Sequence, residues 1–229
     1  MADWISFWNS DHPIYVNARH RDVHYRGIAD DVSGYVAPGA AVLDYGCGEA
    51  VHADRVAEKA ARLILCEAAP KVREHLAARF ASAGNIEVKS PDDVAALPPG
   101  SLDLVVMHSV AQYLSRDEAD ALFAQFRRLL KPGGLFILGD VIPPHVSPLA
   151  DAAALLRFAA GNGFLLAAGT GLVRTTFSDY PKLRAQLGLT LYDEAAMAKK
   201  LAAAGFSVER AQKNIGHSRA RMTFLARPH

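Results

Sequence analysis

The chain has 229 residues, 51% apolar and 21% charged, which is enough for one large buried core and an ordinary globular composition. A formal net charge of +1 argues against a nucleic-acid partner, because phosphate binding leaves a basic excess. The opening MADWISFWNSD has no basic start and no long apolar run, so we read no signal peptide and take the cytoplasm as the default location.

In chain order, Trp4, Phe7 and Trp8 form an aromatic cluster ahead of Pro13, which reads as a hydrophobic plug. Residues 15–36 then read as a helix with Ile28, Val32 and Tyr35 on one stripe. VLDY (42–45) is a short buried strand that runs into a glycine loop. A helix over 50–61, a strand over 62–67, a helix over 70–84 ending at Gly84, and a strand over 85–90 follow. LDLVVMHS (102–109) is a fourth strand. Ser115 and Glu118 have the spacing of a capping box, and Leu122, Phe126 and Leu129 line the helix that it opens. Lys131-Pro-Gly-Gly134 stops this helix, and LFILGDV (135–141) is a fifth strand. Residues 143–192 read mostly helical. Their most apolar part, Leu155 to Val173, is interrupted by Arg157 and four glycines, so no stable membrane insertion is expected. A helix over 193–204 precedes two strands, 206–212 and 220–227, that read as an antiparallel hairpin.

Short continuous apolar strands alternating with helices predict an α/β fold, a mostly parallel, seven-stranded, doubly wound sheet with a C-terminal antiparallel hairpin. The expected divisions are an N-terminal helical cover (1–36), a core (37–142 and 193–229), and a helical insertion (143–192) acting as a substrate lid. The two cysteines, Cys47 and Cys66, sit in no disulfide framework and read as small buried hydrophobes.

Ligands of open α/β sheets sit beyond the carboxyl ends of the strands, so the loop Gly46-Cys47-Gly48-Glu49 is the candidate site. A dinucleotide fingerprint needs a third glycine, and Glu49 would place negative charge against a pyrophosphate. S-adenosylmethionine has no phosphate, and its ribose diol calls for a carboxylate acceptor. Glu67, ending the second strand, can supply one through charge-assisted bonds. Asp44 can orient the loop and the methionine ammonium.

VLDYGCGEA resembles motif I of the class I S-adenosylmethionine-dependent methyltransferases, with Ala50 where the family's last glycine stands. LILCEAAP, DLVVMHSVAQYL and LLKPGGLFILGDV resemble three further family motifs in the family's order, covering about 42 to 141. The resemblance implies that Gly46, Cys47 and Gly48 line the methionine part, that Glu67 takes the ribose, and that Ala68 borders the adenine. It places Asp92 or Asp93 near the adenine amine, with Val94 on the ring. His108 and Ser109 fall beneath the sulfonium, and Tyr15 and Arg19 of the N-terminal cover reach the cofactor carboxylate.

Methyl transfer from a sulfonium is an in-line displacement with a neutral leaving group, so positioning supplies much of the rate. A base is needed only where the nucleophile carries a proton. Candidates are His108, Tyr113 and His145; Asp140 reads as structural. His20 and His24, four apart on a helix, have metal-ligand spacing without the metalloprotease Glu, so a solvated or lid face is expected and no metal. The sequence His-Ser-Val-Ala at 108–111 departs from the Asn-Pro-Pro-Tyr of enzymes that methylate amino groups of bases or glutamine, and the loop resembles those of small-molecule methyltransferases. The lid holds Leu155, Phe158, Phe164 and Phe177, which suit an apolar or amphipathic small molecule. Arg157, Arg174, Tyr180, Lys182 and Arg184 could meet an acidic group, while His217 has no assigned role. The alternatives are a cofactor-binding protein without turnover and a methyltransferase acting on a macromolecule.

Overall fold

The computed structural model describes residues 2–10, 15–176 and 188–229. Pro13, Phe177, Tyr180, Lys182 and Arg184 lie outside the described residues. The elements are α1 (Ala2–Trp8), α2 (Ala18–Ser33), β1 (Ala40–Tyr45), α3 (Ala53–Ala57), β2 (Ala60–Cys66), α4 (Pro70–Arg79), β3 (Ile86–Lys89), α5 (Pro91–Ala95), β4 (Leu102–His108), α6 (Arg116–Leu129), β5 (Leu130–Val141), α7 (Pro148–Asn162), α8 (Leu165–Thr176), α9 (Glu194–Ala203), β6 (Phe206–Arg210) and β7 (Met222–Pro228).

The strands form one seven-stranded sheet in the order β3-β2-β1-β4-β5-β7-β6. Strands β1 to β5 pair in parallel, and β7 runs antiparallel to both β5 and β6. The predicted fold class is the observed one. The strand order reverses between β1 and β4, which opens a crevice above their carboxyl ends.

Both faces of the sheet are covered, which is why its strands read as continuous apolar runs. Leu43, Ile64, Val105 and Phe136 face α6 and α9, packing with Phe123, Phe126 and Leu201. Val42, Leu63, Leu104 and Ile137 face the other way, against Ala29, Val32, Val56 and Leu76 of α2, α3 and α4. A third cluster, Val23, Ala159, Phe164 and Ala168, joins α2 to α7 and α8. The helical insertion therefore packs on the N-terminal helix.

Three boundaries differ most from the sequence reading. The helix expected over 50–61 covers only 53–57, because Ala60 is already paired with Ala40 across β1 and β2. The helix expected to reach Gly84 ends at Arg79, with Phe80 as its C-cap. Strand β5 begins at Leu130, not Leu135: Leu130 pairs with Leu102, Leu135 pairs with Leu104, and the Lys131–Gly134 segment bulges out between them. The capping box read at Ser115 and Glu118 holds, and a second one, not read from the sequence, opens α5. Ser115 and Glu118 cap α6 reciprocally, and Ser90 and Asp93 do the same for α5. Among the described residues no helix is long and apolar enough to cross a membrane, and Cys47 and Cys66 are free and buried.

Candidate active site

The chain leaves β1 through a loop that only special backbone geometry can make. Gly46 and Gly48 have φ of +75° and +57°, and Ala50 adopts φ +41°. The Gly46 and Cys47 amides both donate to the Cys66 carbonyl, at 2.8 and 3.1 Å, which pins the loop against the end of β2. A Cβ on Gly46 would stand 2.4 Å from Cγ2 of Val110, and one on Gly48 would stand 2.7 Å from the Tyr25 hydroxyl. Gly46→Ala is expected to cost about 2–4 kcal/mol through the left-handed φ and the collision combined. Urea unfolding reads this loss directly.

Glu67 follows β2 and is 9% exposed. One carboxylate oxygen accepts from the Gly48 amide at 3.0 Å and the other from the Ala69 amide at 2.8 Å. Burial pushes its pKa up, while these backbone amides and Arg73 pull it back. The Arg73 guanidinium donates to the Glu67 and Ala68 carbonyls at 2.8 and 3.2 Å, fixing the turn into α4. Asp44, two residues before Gly46, has its pKa pushed up to about 7 by burial and then by the Glu67 charge.

These groups line a cavity of about 200 Å³. Of the sequence-predicted residues, Tyr15, Asp44, Gly46, Cys47, Gly48, Glu67, Ala68, His108, Ser109 and Tyr113 all line it. Five do not. Arg19 is exposed and donates to the Asn162 carbonyl at 3.2 Å, tying α2 to α7. Asp93 is used by the α5 cap, with its carboxylate 2.7 Å from the Ser90 hydroxyl. Asp92 is exposed on the same helix, and Val94 is fully buried in the core beneath it. His145 is exposed in the turn between β5 and α7. Pro91, the neighbour of Asp92, does line the cavity.

Several wall residues were missed. Tyr25 accepts a hydrogen bond from the Glu49 amide at 2.9 Å and lies over the glycine loop. Its signal was present: Tyr25 extends the Ile28 and Val32 stripe by one turn. Trp4 and Trp8, read as a plug, line the cavity and pack on the Tyr113 ring at centroid distances of 4.7 and 5.6 Å. His24 also lines the cavity, and His20 is 7% exposed between Tyr15 and Phe164. Of the solvated or lid face expected for these two histidines, the solvated alternative fails: His20 is buried and stacks on Phe164 at 5.0 Å, and His24 is half-buried in the cavity wall. Burial, foremost, pushes His20 down to about 4 and His24 down to about 3, so both are neutral at physiological pH. Among the described residues no cluster could hold a metal.

The ends of β4 and β5 form the cavity's other side. The His108 Nε2 lies 3.1 Å from the Ile215 carbonyl. A carbonyl only accepts, so Nε2 carries the hydrogen and Nδ1 is the acceptor. Ser109 and Asp140 are non-glycine residues with φ of +56° and +63°. The Ser109 hydroxyl donates to Asp140 at 2.6 Å. Burial pushes the Asp140 carboxyl up, but the Arg221 guanidinium, foremost, and the Ser109 hydroxyl outweigh it and hold it below the usual range. Strained backbone of this kind persists only where surrounding bonds over-determine it.

Residues 42–134 match the family model described as a methyltransferase domain. A ubiquinone biosynthesis O-methyltransferase from Xanthomonas campestris is 32% identical over 116 residues, 49% of this chain and 48% of that protein. A probable S-adenosylmethionine-dependent methyltransferase from Mycolicibacterium smegmatis is 32% identical over 58% of this chain and 48% of its own length. The chain thus spans about half the length of these curated relatives. Among solved structures, magnesium protoporphyrin IX methyltransferase from Synechocystis PCC 6803 with bound SAH superposes with a TM-score of 0.57. It is 19% identical and covers 98% of this chain and 92% of its own. Residues 42–134 therefore resemble a methyltransferase domain, and the chain shares the Rossmann-like fold of that solved structure.

Proposed function

We propose that the chain transfers the methyl group of S-adenosylmethionine to a small, apolar or amphipathic acceptor. The observation that carries this is the buried Glu67 carboxylate, held by two backbone amides at the rim of a cavity whose floor is a glycine loop. Its remaining lone pairs suit a ribose diol. The relatives above are named for ubiquinone biosynthesis and for magnesium protoporphyrin IX; these are small molecules, which supports a small acceptor here.

Gly46, Cys47 and Gly48 would receive the methionine part, Asp44 its ammonium, Glu67 the ribose, and Ala68 and Pro91 the adenine side. When bound, S-adenosylmethionine supplies an electrophilic methyl with a neutral leaving group. The protein's work is then to align, to exclude water and to take up a proton where the acceptor carries one. Trp4, Trp8 and Tyr113 wall the cavity with aromatic surface. His108 Nδ1 is the proton acceptor, its ring held in one tautomer by the Ile215 carbonyl.

Two measurements test the reading. Calorimetry should show one S-adenosylmethionine bound per chain; no binding overturns it. A deuterated methyl donor should label the small-molecule fraction of an extract, and label confined to protein or nucleic acid would exclude a small acceptor.

Asp44 gives the binding a pH signature. Its ionised form attracts the ammonium, so affinity should rise as pH climbs through about 7, and Asp44→Asn should flatten that rise. Stability runs the other way. The folded carboxyl stays protonated to about 7, whereas the unfolded one loses its proton near 3.8. The ligand-free fold therefore loses stability between these values as pH rises, by up to about 1.4 kcal/mol per unit.

A further inference from the structure

A second cavity, of about 760 Å³, opens between α2, α7 and the loop joining β6 to β7. It meets the cofactor cleft at His24, which lines both. The loop that walls it, through Asn214 and Gly216, is the one whose Ile215 carbonyl holds His108. The chamber therefore adjoins the end of β4, where the reacting methyl would lie.

Its charges do not cancel. Asp30 and Asp31 are on its wall, but Asp30 is paired with Arg55, and Asp31 takes Lys213 at 2.8 Å and the Gly216 amide at 3.4 Å. Arg157 of α7 and Arg219 of the hairpin loop line the same space. Among the described residues neither has a carboxylate within ion-pairing distance. Beside them, Phe158 and His217 stack at 4.8 Å with 19° between their planes, a flat apolar surface. Burial, foremost, keeps the His217 imidazole below its ordinary pKa, so the stack adds little charge of its own.

We propose that this chamber holds the methyl acceptor, with Arg157 and Arg219 clamping an anionic group, a carboxylate or a phosphate, while the Phe158–His217 pair receives a planar apolar body. The proposal rests on the methyltransferase reading above. Guanidinium groups suit both anions because their donors form a fixed planar fork. A cationic acceptor would meet uncompensated positive charge.

The test uses a metabolite extract split by anion exchange into retained and flow-through fractions, each incubated with deuterated S-adenosylmethionine. A portion of the retained fraction is treated with phosphatase first. Label should enter retained molecules, and loss of that label after phosphatase marks a phosphate while persistence marks a carboxylate. In R157A/R219A the KM for the labelled acceptor should rise at least tenfold with kcat within about twofold. S-adenosylmethionine affinity should stay unchanged, which also shows that the variant is folded. No labelled anion, or a double variant with wild-type KM, overturns the anionic clamp. Failure of the wild-type protein to bind S-adenosylmethionine would instead remove the methyltransferase reading itself.

Discussion

Glu67→Ala should weaken S-adenosylmethionine binding by about 1.5–3 kcal/mol, roughly ten- to 150-fold. Two losses add. The ribose loses a charge-assisted acceptor, and the Gly48 and Ala69 amides lose the carboxylate that now satisfies both of them. Because the Gly48 amide belongs to the loop that forms the cavity floor, the damage extends to the shape of the site. Glu67→Gln is no gentle control, since its NH2 would face one of two backbone donors. Calorimetric titration of the variant checks the expectation, and wild-type affinity would sink the ribose placement.

The largest stability effect is expected at Arg221. Its guanidinium spans Asp140 at 2.5 Å and Asp151 at 3.0 Å, joining the end of β5 to α7. Asp140 is 7% exposed. Removing one partner of a buried pair leaves a charge without compensation, so Arg221→Ala should cost about 3–5 kcal/mol. Around Asp140, Asn214 accepts from its backbone amide at 3.2 Å and Thr223 donates to Asn214 at 2.8 Å. Ser109 is held by the same carboxylate, so methyl transfer should fall along with stability. Urea unfolding of Arg221→Ala beside the double variant Asp140→Asn, Arg221→Ala separates the terms. The double variant should be closer to wild type than the single one, because the amide that replaces the carboxylate carries no charge. A single variant within about 1 kcal/mol of wild type would contradict this account.

What the sequence revealed, and what it withheld, follows the range of the interactions concerned. Strands β1, β2, β4 and β5 were legible because a sheet covered on both faces needs unbroken apolar runs, and Val42–Leu43 and Leu104–Met107 carry that signal locally; β3, Ile86-Glu87-Val88-Lys89, shows the alternation of a partly exposed strand. The α6 start was legible because Ser115 and Glu118 are three residues apart. Gly46, Gly48, Glu67 and His108 were legible as a group because each ends a parallel strand on the same edge of the sheet. Arg221 gave no signal, since its partners Asp140 and Asp151 are 81 and 70 residues away. The meeting of His24 with His217 at 5.9 Å likewise depends on how α2 packs against the hairpin loop. Asp93 misled because one residue type serves two purposes: an acid after β3 is also what a capping box requires. The helix over 50–61 was overcalled because Ala60 and Ala61 favour helix locally, while pairing with β1 takes Ala60 into β2.

The placement of β7 between β5 and β6 has a consequence for synthesis. A ribosome delivers β5 and β6 first, yet these two strands share no backbone ladder and meet only through side chains such as Phe136 and Phe206; each waits for residues 222–228 to pair. Until then the outer edge of β5, rich in fully buried residues such as Phe136 and Ile137, is an unpaired template for another nascent chain. Strands β1 to β4, which line the glycine-loop cavity, are all made earlier. Arg221 and Thr223 arrive with β7, so the network around Asp140 at the end of β5 closes only once residues 221–228 have been made, and a pause before them leaves that edge of the sheet open.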